Sequence, residues 1–155
     1  MAIATGIVGA AGFAGIELTR LILRHPEFEL RVVTSNELAG SSVASEYPGF
    51  TGATDLAFST HDGPALDACD LVFLAVPHTA AMAMAPRLVE RGATVVDLSA
   101  DFRLKDPAVY EQWYATPHTQ TDLLARAAFG LPELFPDDLA RAAVDRAEGK
   151  GVLVA

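Results

Sequence analysis

The stretch Ile3-Ala4-Thr5-Gly6-Ile7-Val8-Gly9-Ala10-Ala11-Gly12-Phe13-Ala14-Gly15 decides the fold. Residues 3–8 are β-rich and stop at Gly9, which predicts a buried strand. Residues 13–24 place apolar side chains at Ile16, Leu18, Leu21, Ile22 and Leu23, and Pro26 follows, which predicts a helix with a stop signal. Gly9, Gly12 and Gly15 therefore lie in a strand–turn–helix. Such a turn suits a phosphate group. Glycine accepts positive φ and lets backbone N–H groups approach an anion, and the helix N-terminus adds partial positive charge. The spacing is G-x-x-G-x-x-G rather than the commoner G-x-G-x-x-G. Residues Gly9, Ala10, Ala11, Gly12, Phe13, Ala14 and Gly15 are the candidate pyrophosphate cradle. The bland alternative is a tight turn without a ligand. Gly6, inside the strand, reads as a close-packing position.

Outward from that turn, strand and helix signals alternate. Residues 30–33 predict a second strand. Residues 35–53, rich in Ser, Gly and Pro, predict a long loop with room for one helical turn. Residues 56–59 suit a short strand. Residues 71–76 form a continuous apolar run ended by Pro77, as expected of a strand buried on both faces. Thr79 reads as the N-cap of a helix to Arg91, with Gly92 at C′. Residues 94–98 predict another buried strand. Asp106-Pro107 suits the N-cap and first position of a helix through Tyr114. Residues 122–128 and 137–147 predict two more helices, and residues 152–155 begin a strand. The class is α/β: a doubly wound, mostly parallel sheet with Rossmann-like dinucleotide-binding topology.

The chain has 155 residues, the length of one domain. Its net charge of −9 argues against a nucleic-acid or anionic-membrane surface, which needs a basic face. With 51% hydrophobic and 20% charged residues it is not a disordered chain. The single cysteine excludes an internal disulfide and fits a reducing compartment. Residues 1–16 lack the basic segment of a signal peptide, and the run 71–76 is too short to span a bilayer. A cytoplasmic protein is expected. Residues 151–155 read as the opening of a buried strand, so a longer protein is expected to continue past Ala155.

The end of the second strand selects the dinucleotide. NAD readers place Asp or Glu there, on the ribose 2′-hydroxyl. Here the sequence is Val33-Thr34-Ser35-Asn36. No carboxylate sits at Ser35 to repel a 2′-phosphate, and hydroxyls can donate to one, which favours NADP. These residues also suit an ordinary turn. The usual arginine is missing: Arg31 lies inside the strand, and Glu37 does not help. In open α/β sheets ligands sit outside the carboxyl ends of the strands. Pro77 and His78 stand at one such end, and Ser99, Asp101 and Arg103 at the next. His78 either touches the cofactor or is a turn residue. Asp101 and Arg103 either pair with each other and brace the loop or hold a carboxylated substrate.

Other chemistry is lacking. Cys69 precedes a strand, at the far end of the sheet from a cofactor, and Asp67 and Asp70 disfavour its thiolate. His25, His61, His78 and His118 show no metal-ligand spacing. There are two lysines, neither four residues after a tyrosine, so a Tyr-x-x-x-Lys pair is absent. Gly149-Lys150-Gly151 lacks the remainder of a P-loop.

Residues 6–18, 73–78 (FLAVPH), 96–104 (VDLSADFRL) and 130–134 (GLPEL) together resemble the cofactor domain of the N-acetyl-gamma-glutamyl-phosphate reductases, acyl-phosphate reductases of arginine biosynthesis. The first segment is shared with aspartate-semialdehyde dehydrogenases; the other three in this order are more specific. The resemblance runs from about residue 3 to Ala155. It implies that the next residues would be Asn-Pro-Gly-Cys, that this cysteine is the nucleophile, and that no catalytic residue lies in residues 1–155. A catalytic histidine and a second domain with dimer contacts would follow. The implied reaction is covalent: a thiolate attacks the acyl phosphate and expels phosphate, the thioester is reduced with NADPH, and N-acetylglutamate semialdehyde leaves. It further implies that Gly9 to Gly15 hold the pyrophosphate, Ser35 the 2′-phosphate, and Pro77, His78 and Ser99 the nicotinamide side. Family members often carry an arginine after that serine, where this chain has Asn36. A semialdehyde dehydrogenase of another pathway, aspartate or carrier-protein-linked lysine, and a non-catalytic NADP-binding sensor are the competing expectations.

Overall fold

The computed structural model describes residues 2–155, which fall into two compact units, the first ending at Ala75 and the second running from Val76 to Ala155. In the first unit the elements are β1 (Ile3–Val8), α1 (Phe13–Ile22), β2 (Phe28–Thr34), α2 (Val43–Glu46), a 3₁₀ turn Pro48–Phe50, β3 (Phe58–Ser59), a 3₁₀ turn Pro64–Ala68 and β4 (Leu71–Leu74). Their sheet order is β3-β2-β1-β4, and each pair is parallel. Parallel pairing needs crossovers, and α1 supplies the one between β1 and β2.

β1 is central and buried from Ala4 to Val8, which explains its lack of hydrophobic alternation. Ile7, Val33, Val43 and Phe58 are the core of this unit, with Ile16, Tyr47 and Phe73 packed against it. Gly6 is the close-packing position expected of it. A Cβ there would stand 3.0 Å from Leu66 Cδ2 and 3.2 Å from Cys69 Sγ. The chain reverses its direction of winding at β1, between β2 and β4. This is the topological switch point where dinucleotides bind in such sheets.

The second unit contains α3 (Ala81–Glu90), β5 (Thr94–Asp97), α4 (Pro107–Tyr114), α5 (Thr121–Arg126), α6 (Pro136–Ala147) and β6 (Val152–Val154). β5 and β6 pair in parallel. Asp106 caps α4 as expected, its carboxylate accepting the Ala108 N–H at 2.8 Å. Gly92, at φ 87°, ends α3 in the left-handed conformation expected of C′.

Several boundaries differ from the sequence reading. α1 ends at Ile22 rather than residue 24, β2 starts at Phe28, and β4 ends at Leu74. The clearest correction is Thr79. It is not an N-cap: α3 is entered through Ala80, without a side-chain cap, and Thr79 has φ 75°. Asp101 takes the capping role from across the unit, accepting the Met82 N–H at 3.1 Å.

Candidate functional site

The glycine turn is built at the carboxyl end of β1. Gly9 has φ 79°, a conformation that side chains resist. Gly15 is the position of close approach: a Cβ there would lie 2.2 Å from the Gly9 carbonyl oxygen and 2.6 Å from Ala10 Cα. Gly12 works differently. Its φ is −74°, and an added Cβ would meet only the Gly9 oxygen, at 3.6 Å. Gly12 is therefore not needed for positive φ; it keeps the approach to the helix end open. It is also the N-cap of α1 and has no side chain to satisfy the first-turn amides. The N–H groups of Phe13 and Ala14, in that first turn, have no intrahelical acceptor four residues back. Converging amides, a dipole end and an open face fit a pyrophosphate. The Phe13 ring, 95% exposed, stands beside this cradle. Tyr47 was not anticipated. Its hydroxyl donates to the Ala11 carbonyl oxygen at 2.6 Å and pins the turn from a loop 36 residues away.

Ser35 lies next to this turn, because the Ala10 N–H donates to the Thr34 carbonyl at 2.9 Å. Ser35 is buried, and its Oγ accepts the Leu38 N–H at 3.3 Å, which leaves the hydroxyl proton available. His61, weighed in the sequence only as a metal ligand, stands at the same corner. Its Nδ1 is 2.6 Å from the buried Thr34 Oγ1, and its main-chain N–H donates to Asn36 Oδ1 at 3.0 Å. Burial pushes the ring's pKa below the usual histidine value, against the smaller opposing effect of Asp62. Its place just after a parallel strand was the available signal.

Cys69 is at the opposite end of the first unit, ahead of β4, and is buried. Its thiol is pushed up mainly by that burial. Asp70 adds to the rise and Arg31 opposes it. The inertness expected from its neighbours thus rests first on desolvation.

In the second unit Asp101 is a hub. Its Oδ1 accepts the Thr79 N–H at 2.6 Å and the Tyr110 hydroxyl at 2.8 Å, and its carbonyl faces His118 Nε2 at 2.7 Å. Arg103 does not complete the expected pair. Its guanidinium instead donates to the Leu98 carbonyl at 2.6 Å. Ser99 is equally fixed: its hydroxyl donates to Asp97 Oδ2 at 2.9 Å and accepts the Asp101 N–H at 3.1 Å. Burial raises the Asp97 pKa, and the two Ser99 hydrogen bonds oppose that rise. Tyr110 is fully buried, and desolvation followed by its bond to Asp101 drives its hydroxyl far above the usual tyrosine value. Pro77 and His78 are exposed, with the His78 ring 5.6 Å from that of Tyr114. Pro77, His78, Ser99 and Asp101 are thus brought together through Thr79. Asp97 went unnoticed in the sequence, Tyr110 was weighed only for a Tyr-x-x-x-Lys pair and His118 only as a metal ligand; the roles of Tyr110 and His118 need Asp101, 9 and 17 residues away.

A parallel sheet of order 3-2-1-4 with a glycine turn at its switch point defines a Rossmann-like dinucleotide-binding α/β domain. More narrowly, residues 4–142 match the family described as semialdehyde dehydrogenase, NAD binding domain, and the chain belongs to that family. The N-acetyl-gamma-glutamyl-phosphate reductase of Alkalilimnicola ehrlichii is 52% identical over 132 residues, 85% of this chain and 38% of that protein. The protein of the same name from Herminiimonas arsenicoxydans is 47% identical over 142 residues, 92% of this chain and 41% of that protein. The chain therefore spans about two-fifths of the length of these relatives. The solved aspartate semialdehyde dehydrogenase with NADP from Candida albicans has a TM-score of 0.69 at 19% identity, over 99% of this chain and 42% of that one. That likeness supports the fold class. Among the described residues, no helix is long and apolar enough to cross a membrane.

Proposed function

We propose that this chain is the NADP-binding part of an NADPH-dependent N-acetyl-gamma-glutamyl-phosphate reductase, which converts an acyl phosphate into N-acetylglutamate semialdehyde. The observation that carries this reading is the 47–52% identity to reductases of that name across 85–92% of the chain. The bound dinucleotide supplies a hydride. The chain's own part is to bind and orient. Gly9, Ala10, Ala11, Gly12, Phe13, Ala14 and Gly15 hold the pyrophosphate with main-chain donors. Ser35 donates its free hydroxyl proton to the 2′-phosphate. Pro77, His78 and Ser99 line the nicotinamide side, with Ser99 oriented by Asp97 and Asp101. Asp101 and Arg103 brace that rim, each through its own partners.

The nucleophile in this reading is a cysteine in sequence beyond Ala155, where a second domain also carries the contacts of a cytoplasmic homo-oligomer. Its thiolate attacks the acyl carbonyl, phosphate departs, and a thioester remains for reduction. Fluorescence titration of the 155-residue chain with NADPH and NADH tests the cofactor. NADPH should bind more tightly, and equal or reversed affinities overturn the NADP assignment. An assay with N-acetylglutamyl phosphate tests the rest. The 155-residue chain should be inactive, and the chain extended by the coding sequence that follows it should oxidise NADPH. Activity of the short chain alone would contradict the reading.

A further inference from the structure

Among the described residues, unit 1 has no arginine or lysine at the ribose corner. It carries three arginines and no lysine. Arg20 is paired with Glu17 on α1. Arg24 follows the end of α1, and so belongs to the edge of the sheet from which β2 starts. Arg31 pairs with Glu29 at 2.9 Å, and its charge is felt by Cys69 and Asp70 at that same edge. A 2′-phosphate there would be left to neutral donors.

Three such donors belong to residues linked at this corner. The Ser35 hydroxyl has its proton free. Asn36 accepts from His61 through Oδ1, which leaves its side-chain NH₂ to donate. The third is His61. Thr34 is fully buried, and His61 Nδ1 is the partner of its hydroxyl, at 2.6 Å. The Thr34 proton has an acceptor only if it points at Nδ1. A neutral imidazole that accepts at Nδ1 carries its proton on Nε2. With the Thr34 proton on Nδ1, the ring carries its N–H donor on Nε2, the nitrogen that Thr34 does not use, and burial disfavours its charged form. Its main chain is tethered to Asn36, one residue from Ser35.

We infer that His61, held by Thr34 and Asn36, is a specificity-determining residue of this chain: its Nε2–H donates to the 2′-phosphate of the dinucleotide, in the place where related folds use arginine. This inference rests on the NADP reading above and adds the residue that enforces it.

The test uses 2′,5′-ADP and 5′-ADP, which differ only in the 2′-phosphate and need no nicotinamide site. Calorimetric titration of the 155-residue chain should show tighter binding of 2′,5′-ADP. His61→Ala should weaken 2′,5′-ADP about tenfold, the size of one hydrogen bond to a charged group, with 5′-ADP within about twofold. His61→Gln, whose amide nitrogen can stand near Nε2, should recover part of the loss. In the unsubstituted chain with ¹⁵N-labelled histidine, the His61 Nε2 resonance should move on adding 2′,5′-ADP and stay still with 5′-ADP. That readout holds even if the variants fold poorly. No preference between the two nucleotides in the unsubstituted chain would overturn the NADP reading together with this inference. A preference that survives His61→Ala, or an Nε2 resonance unmoved by 2′,5′-ADP, would overturn the role of His61 alone.

Discussion

Asp101 Oδ1 accepts the backbone N–H of Thr79 at 2.6 Å, and Thr79 is held there at φ 75°. A β-branched residue pays of order 1–2 kcal/mol for that conformation. Three hydrogen bonds to one carboxylate hold the surrounding loop: Thr79 N–H, Met82 N–H and Tyr110 O–H.

Asp101→Ala should therefore be among the most destabilising single changes in the second unit, at about 3 kcal/mol. It leaves a buried hydroxyl and two amides without their acceptor. Thr79→Gly should be neutral or stabilising by up to about 1 kcal/mol, since relief of the backbone conformation offsets glycine's added chain entropy. Urea unfolding of both variants checks this. A lower midpoint for Thr79→Gly than for the unsubstituted chain would show that the left-handed turn costs less than glycine's added chain entropy.

The glycines of the turn should separate by variant. Gly15→Ala forces a Cβ to 2.2 Å from the Gly9 oxygen and should lower the melting temperature and abolish NADPH binding together. Gly12→Ala meets only an ordinary contact and should keep the melting temperature. Gly12→Val should likewise keep its helix content while losing cofactor affinity, through a side chain that crowds the approach to the first-turn amides. Circular dichroism melts beside fluorescence titrations distinguish the two effects. Unchanged NADPH affinity in folded Gly12→Val would reduce this loop to a plain turn.

Tyr47→Phe removes one hydroxyl that donates to Ala11. The expected cost is about 1 kcal/mol in stability, the net value of one such bond. NADPH affinity should fall severalfold, because the turn is no longer pinned from behind. An affinity equal to that of the unsubstituted chain would show that the turn is rigid without Tyr47.

Cys69 should be chemically silent in the folded state. Burial raises its thiol above the usual value, so the thiolate is scarce through neutral pH and grows only as pH rises past that raised value. Alkylation by iodoacetamide should be slow at neutral pH in the native chain and fast in urea. Cys69→Ala should leave NADPH affinity unaltered. Rapid native alkylation, or loss of cofactor binding in Cys69→Ala, would contradict its placement away from the cradle.

Local chemistry was enough to read the strand–turn–helix of residues 3–22, the Asp106 cap and the left-handed Gly92. In each, the signal and its effect lie within one or two turns of chain. Hydrophobic periodicity, proline's fixed φ and glycine's tolerance of positive φ act over that range. The same reasoning placed Ser35 and Cys69 at opposite ends of the first unit's strands, because parallel strands put all their carboxyl ends on one edge. The tertiary structure alone decided that Thr79 is a left-handed link rather than a cap, that Asp101 takes the cap's work, and that Arg103 turns to Leu98 instead. It alone brought Tyr47 to Ala11 and His61 to Thr34, across 36 and 27 residues of sequence. It also assigned positive φ to Gly9 and close packing to Gly15, leaving Gly12 as the open position. The physical reason is common to all of these. A polar group removed from water takes whichever partner the packed backbone sets within hydrogen-bond reach, and that partner depends on how the elements pack rather than on the residues beside it.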